Sequence, residues 1–386
     1  MVLNSASKSL YKRHKEDSLS GRYVNSDSLN FWLDKISSRI PIEKLGLSVQ
    51  SREIVSLTIG RGQTKILAWS QMHGNESTTT KAICDLINVL LNDYQFSKSI
   101  LDRITLQVIP ILNPDGAFAY TRVNANGVDL NRDAQSLSEP ESQILRDVFD
   151  NFKPDYCFNL HGQRTIFGAG DTGYSATVSF LSPAEDLERK VTKTRLKAMQ
   201  VIVRMNETLQ KEIPDQVGIY DDAFNINCVG DTFQTLKVPT ILFEAGHIES
   251  DYHREKTRYY IFQSLLSGID FISELSKADQ SIQKQNVEEA YFGIPLNKKN
   301  FYDIIIRNTS DGDYGIQFTE VLKQGQIEFV PRVKEKGDLN GFYGHREINA
   351  EENDVLNRDG ERLIAGAEND FVIINNEKFA LKLKNN

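Results

Sequence analysis

Cysteine is scarce: Cys84, Cys157 and Cys228 are the only three in 386 residues. An odd number, spread over apolar segments and a loop, builds no disulfide framework, and no Cys-x-x-Cys pair offers a structural zinc knot. The expectation is three reduced thiols in a cytoplasmic protein. Long apolar runs are missing as well. No stretch of about 18 apolar residues exists to cross a membrane. The opening "MVLNSASKSLYKRHKEDSLSG" has no apolar block of the secretory type. Positive charge is in deficit, with 45 Lys and Arg against 53 Asp and Glu and a net charge of −8. That balance argues against a nucleic acid or an anionic membrane as partner. Basic residues cluster only in "YKRHKED", which reads as a solvated end. Internal repeats and low-complexity tracts are absent too.

What is present is an alternation of elements. Apolar runs at 53–59, 65–72, 104–112, 155–161 and 238–246 read as strands, several apolar enough to be buried on both faces. Helical periodicity occupies 77–94, 139–152, 183–213 and 253–275. The third of these opens with "SPAEDLE", where Ser182 suits a cap, Pro183 the first helical position, and the acids the first turn. This order predicts an α/β fold with a mixed central sheet flanked by helices. Beyond the polar "SKADQSIQKQN", short β-type runs at "YDIIIRN", "GIQFTEVL", "IEFVPRV" and "DFVIINNEKFALKLK" predict a small β-rich C-terminal domain. The expected division is an N-terminal segment over 1–25, a candidate flexible end, a catalytic domain over 26–280, and the β-rich domain over 285–386.

Functional groups in such sheets collect at the carboxyl ends of strands. Four polar clusters follow apolar strands here: "HGNE" at 73–76, "NPDG" at 113–116 running on to "TRVNANGVDLNRD" at 121–133, "NLHGQR" at 159–164, and "FEAGH" at 243–247. A catalytic zinc takes three imidazole or carboxylate ligands and leaves a position for water. His73 and Glu76, on one tight turn, offer two ligands, and His161 offers a third from a neighbouring strand end. An isolated H-x-x-E is common by chance; the other clusters give it weight. Glu244 ends an otherwise apolar strand, where a carboxylate is costly unless paired or functional, and suits a general base. Arg132 beside Asn131 suits a substrate carboxylate, and Arg122 is placed to polarise a carbonyl. Gln163 and Arg164 are candidate substrate contacts, and Asp221 and Asp222 could select a cationic group or form a solvated loop.

In this order the motifs resemble those of the zinc carboxypeptidases of the M14, carboxypeptidase A-like family, over roughly 50–275, and "TRVNANGVDLNR" is similar to bacterial members that cut muropeptides. The resemblance implies that His73, Glu76 and His161 bind one zinc ion and that Asp129 orients the first histidine. It implies that Arg122 steadies the carbonyl and that Asn131 and Arg132 hold the terminal carboxylate. Glu244 then activates water at the zinc, and Tyr220 matches the mobile tyrosine that closes over substrate. The implied activity is a cytoplasmic metallocarboxypeptidase hydrolysing an amide bond next to a free carboxylate, with a peptide, muropeptide or acyl amino acid as substrate. "HGNE" and "FEAG" also resemble the aspartoacylase and succinylglutamate desuccinylase branch, so an N-acyl amino acid deacylase is the alternative. A catalytically silent binding protein on the same fold is a third reading. Oligomeric state is not legible.

Overall fold

A computed structural model describes residues 2–275 and 284–383. Its centre is an eight-stranded mixed sheet in the order Ile42–Leu47, Glu53–Gly60, Ile104–Ile109, Thr64–Ser70, Tyr156–Gly162, Thr240–Ala245, Val178–Leu181 and Val217–Ile219. The four middle strands, 104–109, 64–70, 156–162 and 240–245, are mutually parallel. Their carboxyl ends therefore open on one edge, where all four polar clusters lie. Alternate side chains feed two cores. Ile66, Ala68, Phe158, Leu160, Ile241 and Phe243 pack beneath the helices Thr78–Asn92, Lys193–Leu209 and Glu255–Leu275. Leu67, Trp69, Ile109 and Cys157 face Leu145, Phe149 and Phe233 of the helices Pro140–Phe152 and Val229–Thr235. Both faces are covered, as the near-continuous apolar runs require.

The α/β class with a β-rich C-terminal region is as expected. The C-terminal strands Phe301–Arg307, Asp313–Lys323, Gln326–Gly337 and Tyr343–Asn349 form one sheet, and Val355–Leu356, Phe371–Ile374 and Glu377–Ala380 a second. The linker reading at 276–286 falls mostly outside the described residues, and Lys284–Phe292 is helical.

Two expectations are corrected. The helix expected at 183–213 is Lys193–Leu209, capped by Thr192. The stretch "SPAEDLE" is irregular because other groups claim it. Buried Arg195 donates to the Ser182 carbonyl, and Glu185 accepts from Thr192 and Lys237. The N-terminal segment is no loose end either. Its helix Val2–His14 sets Tyr11 against Tyr259 and Phe262, with ring centroids 5.1 and 5.2 Å apart. Leu10 and Leu19 are buried. The fully buried Arg258 binds both oxygens of Asp85 at 2.6 Å and donates to the Leu19 and Glu16 carbonyls at 2.6 and 2.8 Å. Within "YKRHKED", Arg13 pairs with Asp93 at 2.9 Å and Lys15 with Glu255 at 3.0 Å.

Candidate metal centre

The strand Thr64–Ser70 runs out into a turn that the helix Thr78–Asn92 closes. Within it the Glu76 amide donates to the His73 carbonyl at 3.1 Å, bringing the two side chains together. The turn is braced from the next loop. Asn113 caps the helix Pro114–Ala119 by accepting from the Gly116 amide at 2.8 Å, and its own NH2 donates to the Met72 carbonyl at 3.2 Å. Asp115 is buried and takes Ser48, the Gln50 amide and Arg52. "NPDG" is thus a support for the turn. Gly74 and Gly116 touch backbone to backbone: a Cβ on Gly74 would lie 1.9 Å from the Gly116 carbonyl carbon. A side chain at Gly74 is thus excluded by the backbone of the second motif, whereas one at Gly116 would meet the Asn113 side chain and the Val123 carbonyl.

His161 ends its strand in parallel register with Glu244, and Gly162 with Ala245. Paired residues on neighbouring strands project to the same face, so His161 and Glu244 share one. The buried His73 and His161 rings lie with centroids 4.7 Å apart and Nδ1 atoms 3.1 Å apart. Glu76 lies between them, Oε1 at 3.0 Å from His73 Nδ1 and Oε2 at 3.0 Å from His161 Nδ1. The Gly162 amide donates to Oε2 at 3.0 Å. One ligand atom from each of the three residues lies within 4.8 Å of the others, the single such group among the described residues. On its far side, His73 Nε2 meets Asp129 Oδ1 at 3.0 Å. That contact fixes the ring with Nδ1 turned inward.

The electrostatics ask for a cation at this point. Burial alone would lower the His73 pKa, yet the charge of Glu76 and the hydrogen bonds of Asp129 and Glu76 raise it to about 9. Burial opposes ionisation of Glu76 as well, but the two histidines hold it well below the usual carboxylate range. His161 is pushed down by burial, and its Nε2 has no hydrogen-bond partner among the described residues. Two imidazole nitrogens and a carboxylate crowded in a buried site are the donor set of a catalytic zinc. The residues fit the metal.

Of the other expected residues, Glu244, Arg122 and Asp129 adjoin this centre. Burial, then the charge of Glu76, raises the Glu244 pKa well above the usual carboxylate range, and its enclosed Oε2 has no partner among the described residues. Arg122, its side chain 43% exposed, binds Asp129 Oδ2 through Nε and an NH2 at 3.1 and 3.0 Å and reaches to 3.6 Å from Glu76 Oε1. Asp129 is held below its ordinary value, against burial, by His73 and Arg122. It also accepts from the Asn131 amide at 2.9 Å. Asn131 Oδ1 in turn accepts from the Val229 amide at 3.1 Å, and Arg132 is exposed on the same loop. Tyr220 follows the edge strand Val217–Ile219 with its ring edge-on to Phe167 at 5.3 Å. Its hydroxyl pKa is raised by burial and then by the charges of Glu244 and Glu76.

Of the further neighbours, Gln163, Arg164 and Asp222 were expected from the sequence, whereas Arg254 and Glu320 were not. Gln163 donates to Ser179 at 2.9 Å, with its Oε1 enclosed and unpartnered among the described residues. Arg164 is occupied by the protein itself: it donates to the Asn75 carbonyl at 3.1 Å and binds Glu320 of the C-terminal sheet at 2.5 Å. Arg254 lies buried behind the sheet edge, donating to the Ala245 carbonyl at 2.7 Å and meeting His247 Nε2 at 2.7 Å. Asp222 pairs with Arg195 and Arg189. "NLHGQR" marked Gln163 and Arg164 as polar residues after a strand; nothing local marked Glu320 or Arg254 as their companions.

Comparison with known proteins agrees with this geometry. Residues 29–226, just over half the chain, match the model of the zinc carboxypeptidase family, peptidase M14. Carboxypeptidase E of Caenorhabditis elegans is 29% identical over 153 residues, 32% of each chain. Carboxypeptidase 2 of Trichophyton rubrum is 28% identical over 99 residues, 25% of this chain and 18% of that protein. The inactive metallocarboxypeptidase ECM14 of Saccharomyces cerevisiae is 31% identical over 113 residues, 26% of each chain. The chain thus spans under a third of the length of these curated relatives. Among solved structures, carboxypeptidase A of Helicoverpa armigera superposes with a TM-score of 0.53 at 15% identity, over 71% of this chain and 81% of that one. A Pseudomonas aeruginosa metallo-carboxypeptidase in complex with (2-guanidinoethylmercapto)succinic acid gives 0.52 at 20% identity, over 65% and 70%; both show the shared fold. No helix among the described residues is long and apolar enough to cross a membrane. With a metal-ligand cluster at the carboxyl edge of a mixed sheet and a family match that spans all three of its residues, the chain belongs to the zinc carboxypeptidase family.

Proposed function

We propose that this chain is a zinc-dependent metallocarboxypeptidase hydrolysing an amide bond next to a free carboxylate, in the cytoplasm, on a peptide, a muropeptide or an acyl amino acid. The observation that carries the reading is the convergence of His73, Glu76 and His161 with Glu244 at the same level on the adjoining strand. Zinc held by those three residues supplies Lewis acidity and lowers the pKa of water. Glu244, level with His161 on the adjoining strand, takes a proton from the attacking water and returns it to the leaving amine. Arg122, oriented by Asp129, lends positive charge to the carbonyl oxygen as it becomes an oxyanion. Asn131 and Arg132 hold the substrate carboxylate and so fix the scissile bond over the centre. Tyr220 closes the other side. Catalysis belongs to 26–280, with 1–25 as an N-terminal segment and 285–386 as a β-rich companion.

The test joins metal analysis to an assay panel of peptides, muropeptides and N-acyl amino acids. The expected result is about one zinc per chain and release of C-terminal residues. Hydrolysis of N-acyl amino acids with no peptide activity would replace the reading with the deacylase. Glu244→Gln should retain its zinc and lose turnover by roughly 10²–10⁴-fold; unchanged turnover would put the base elsewhere. His161→Ala should come out of the same metal analysis largely empty, and full occupancy would remove it from the ligand set.

A further inference from the structure

The β-rich C-terminal unit reaches the metal turn through one enclosed carboxylate. Glu320 sits on the strand Asp313–Lys323 with its side chain 5% exposed. Groups from three distant segments converge on it: Arg22 of the N-terminal segment at 2.8 Å, Arg164 at 2.5 Å, and the Tyr120 hydroxyl. Arg164 stands three residues after His161 and donates to the carbonyl of Asn75, the residue before Glu76. Its guanidinium also lies over the Tyr120 ring, 5.2 Å from the centroid. One arginine therefore joins the loop after one metal residue to the turn that carries the other two.

That arginine needs a counter-charge. With Arg22 and Arg254 both buried nearby, a guanidinium next to the Asn75 carbonyl adds positive charge to a poorly hydrated region. Without Glu320, the favourable course for Arg164 is to swing its partly exposed side chain into water. The carboxylate is firmly ionised: burial opposes it, but Arg22, Arg164 and Arg254 hold its pKa down at about 2. A second brace comes from the same C-terminal unit. Asn297 bonds to Ser179, and Ser179 to Gln163, so the wall beside Tyr220 is held from there too.

We propose that Glu320 is a positioning residue for the metal centre: acting through Arg164, it fixes the Asn75 carbonyl and with it the His73–Glu76 turn, so that the C-terminal unit sets the affinity for zinc. The inference rests on the metal-centre reading above. Partners that orient ligands in this way change metal affinity by about 10–100-fold when removed.

The experiment measures zinc dissociation constants by chelator competition on the full chain, together with the melting temperature of each metal-free protein. Wild type is measured first; if it holds no zinc, or if His161→Ala leaves its zinc untouched, the metal-centre reading itself has failed. Glu320→Gln and Arg164→Met are then expected to weaken zinc binding by about 10–100-fold. The double variant should be no weaker than either single one, because both act through one contact. With cobalt in place of zinc, the visible spectrum of both variants should shift. Asp85→Asn breaks a more deeply buried ion pair away from the turn and should lower the melting temperature without touching zinc affinity. Wild-type zinc affinity in Arg164→Met would overturn the proposal, as would a loss in Asp85→Asn as large as that in Glu320→Gln. Arg164→Met removes a partly exposed side chain, so it keeps the test open if Glu320→Gln does not fold.

Discussion

Replacing Gly74 with Ala tests whether the ligand turn is held by backbone contact. The added methyl would lie 1.9 Å from the Gly116 carbonyl carbon, 2.1 Å from the Ala117 nitrogen and 2.4 Å from the Gly116 oxygen. Carbon atoms in contact sit about 3.5–4.0 Å apart, so the two backbones must separate by roughly 1.5–2 Å. No side chain can yield in their place, because all three neighbours are main-chain atoms. Overpacking of this kind costs typically 1–3 kcal/mol in stability, and rigid neighbours put this site near 3 kcal/mol. The larger effect falls on the metal. Zinc bonds tolerate about 0.2 Å of displacement, and Gly74 lies between His73 and Glu76. Gly74→Ala should therefore bind zinc at least about 100-fold more weakly while the rest of the sheet stays folded. Gly116→Ala should be milder, since two of its three nearest contacts, at 2.5 and 2.8 Å, are atoms of the Asn113 side chain. Chelator competition for zinc and circular dichroism of the metal-free proteins give the two readouts. A Gly74→Ala protein with zinc affinity within twofold of wild type would refute the argument that this contact sets the turn.

Two further predictions concern stability. Burial raises the pKa of Asp303 from 3.8 to about 7, despite hydrogen bonds from the Phe318 amide, Tyr252 and Gln317. A carboxyl whose folded pKa lies above its unfolded one stabilises the fold when protonated, and that contribution is lost as pH rises from about 4 through about 7. At roughly 1.4 kcal/mol per pKa unit, wild type should lose about 4 kcal/mol across this window. Asp303→Asn should flatten the profile in urea unfolding at stepped pH, and an unchanged slope would show that the group does not titrate there. Asp85→Asn should cost about 3 kcal/mol, because it leaves the fully buried guanidinium of Arg258 with only the partly exposed Glu255 as counter-charge; a loss under 1 kcal/mol in chemical denaturation would contradict that.

The site was legible where chemistry sits next to a strong strand signal. His73, Glu76, His161 and Glu244 each close an apolar run, and parallel strands bring such ends to one edge. "TRVNANGVDLNRD" was legible as a loop that turns polar groups towards the centre, though not how it is pinned. Asn124 and Asn126 donate to Glu139, and Asp133 accepts from the Ser138 and Glu139 amides. The failures share one cause. Arg258 with Glu16 and Arg164 with Glu320 are partners 242 and 156 residues apart, and no local window shows which distant group will claim a charge. For the same reason the basic N-terminal cluster read as solvated. At 182–192 local helix signals were present, and a buried arginine overrode them.

The parallel pairing of His161 with Glu244 has a consequence for how the protein matures. The two residues are brought level by a register set between strands 83 positions apart (244 − 161). A one-residue slip of either strand would turn its functional group to the opposite face. Pairing at such separation needs most of the chain between them to have collapsed first. The ligand turn, the second histidine and the base therefore become neighbours only when the central sheet is complete, so a nascent chain released before residue 244 has no finished centre. The three metal ligands lie on the paired strands Thr64–Ser70 and Tyr156–Gly162 and the turn between strand and helix, so the strand Thr240–Ala245 adds the base to that set and not a ligand.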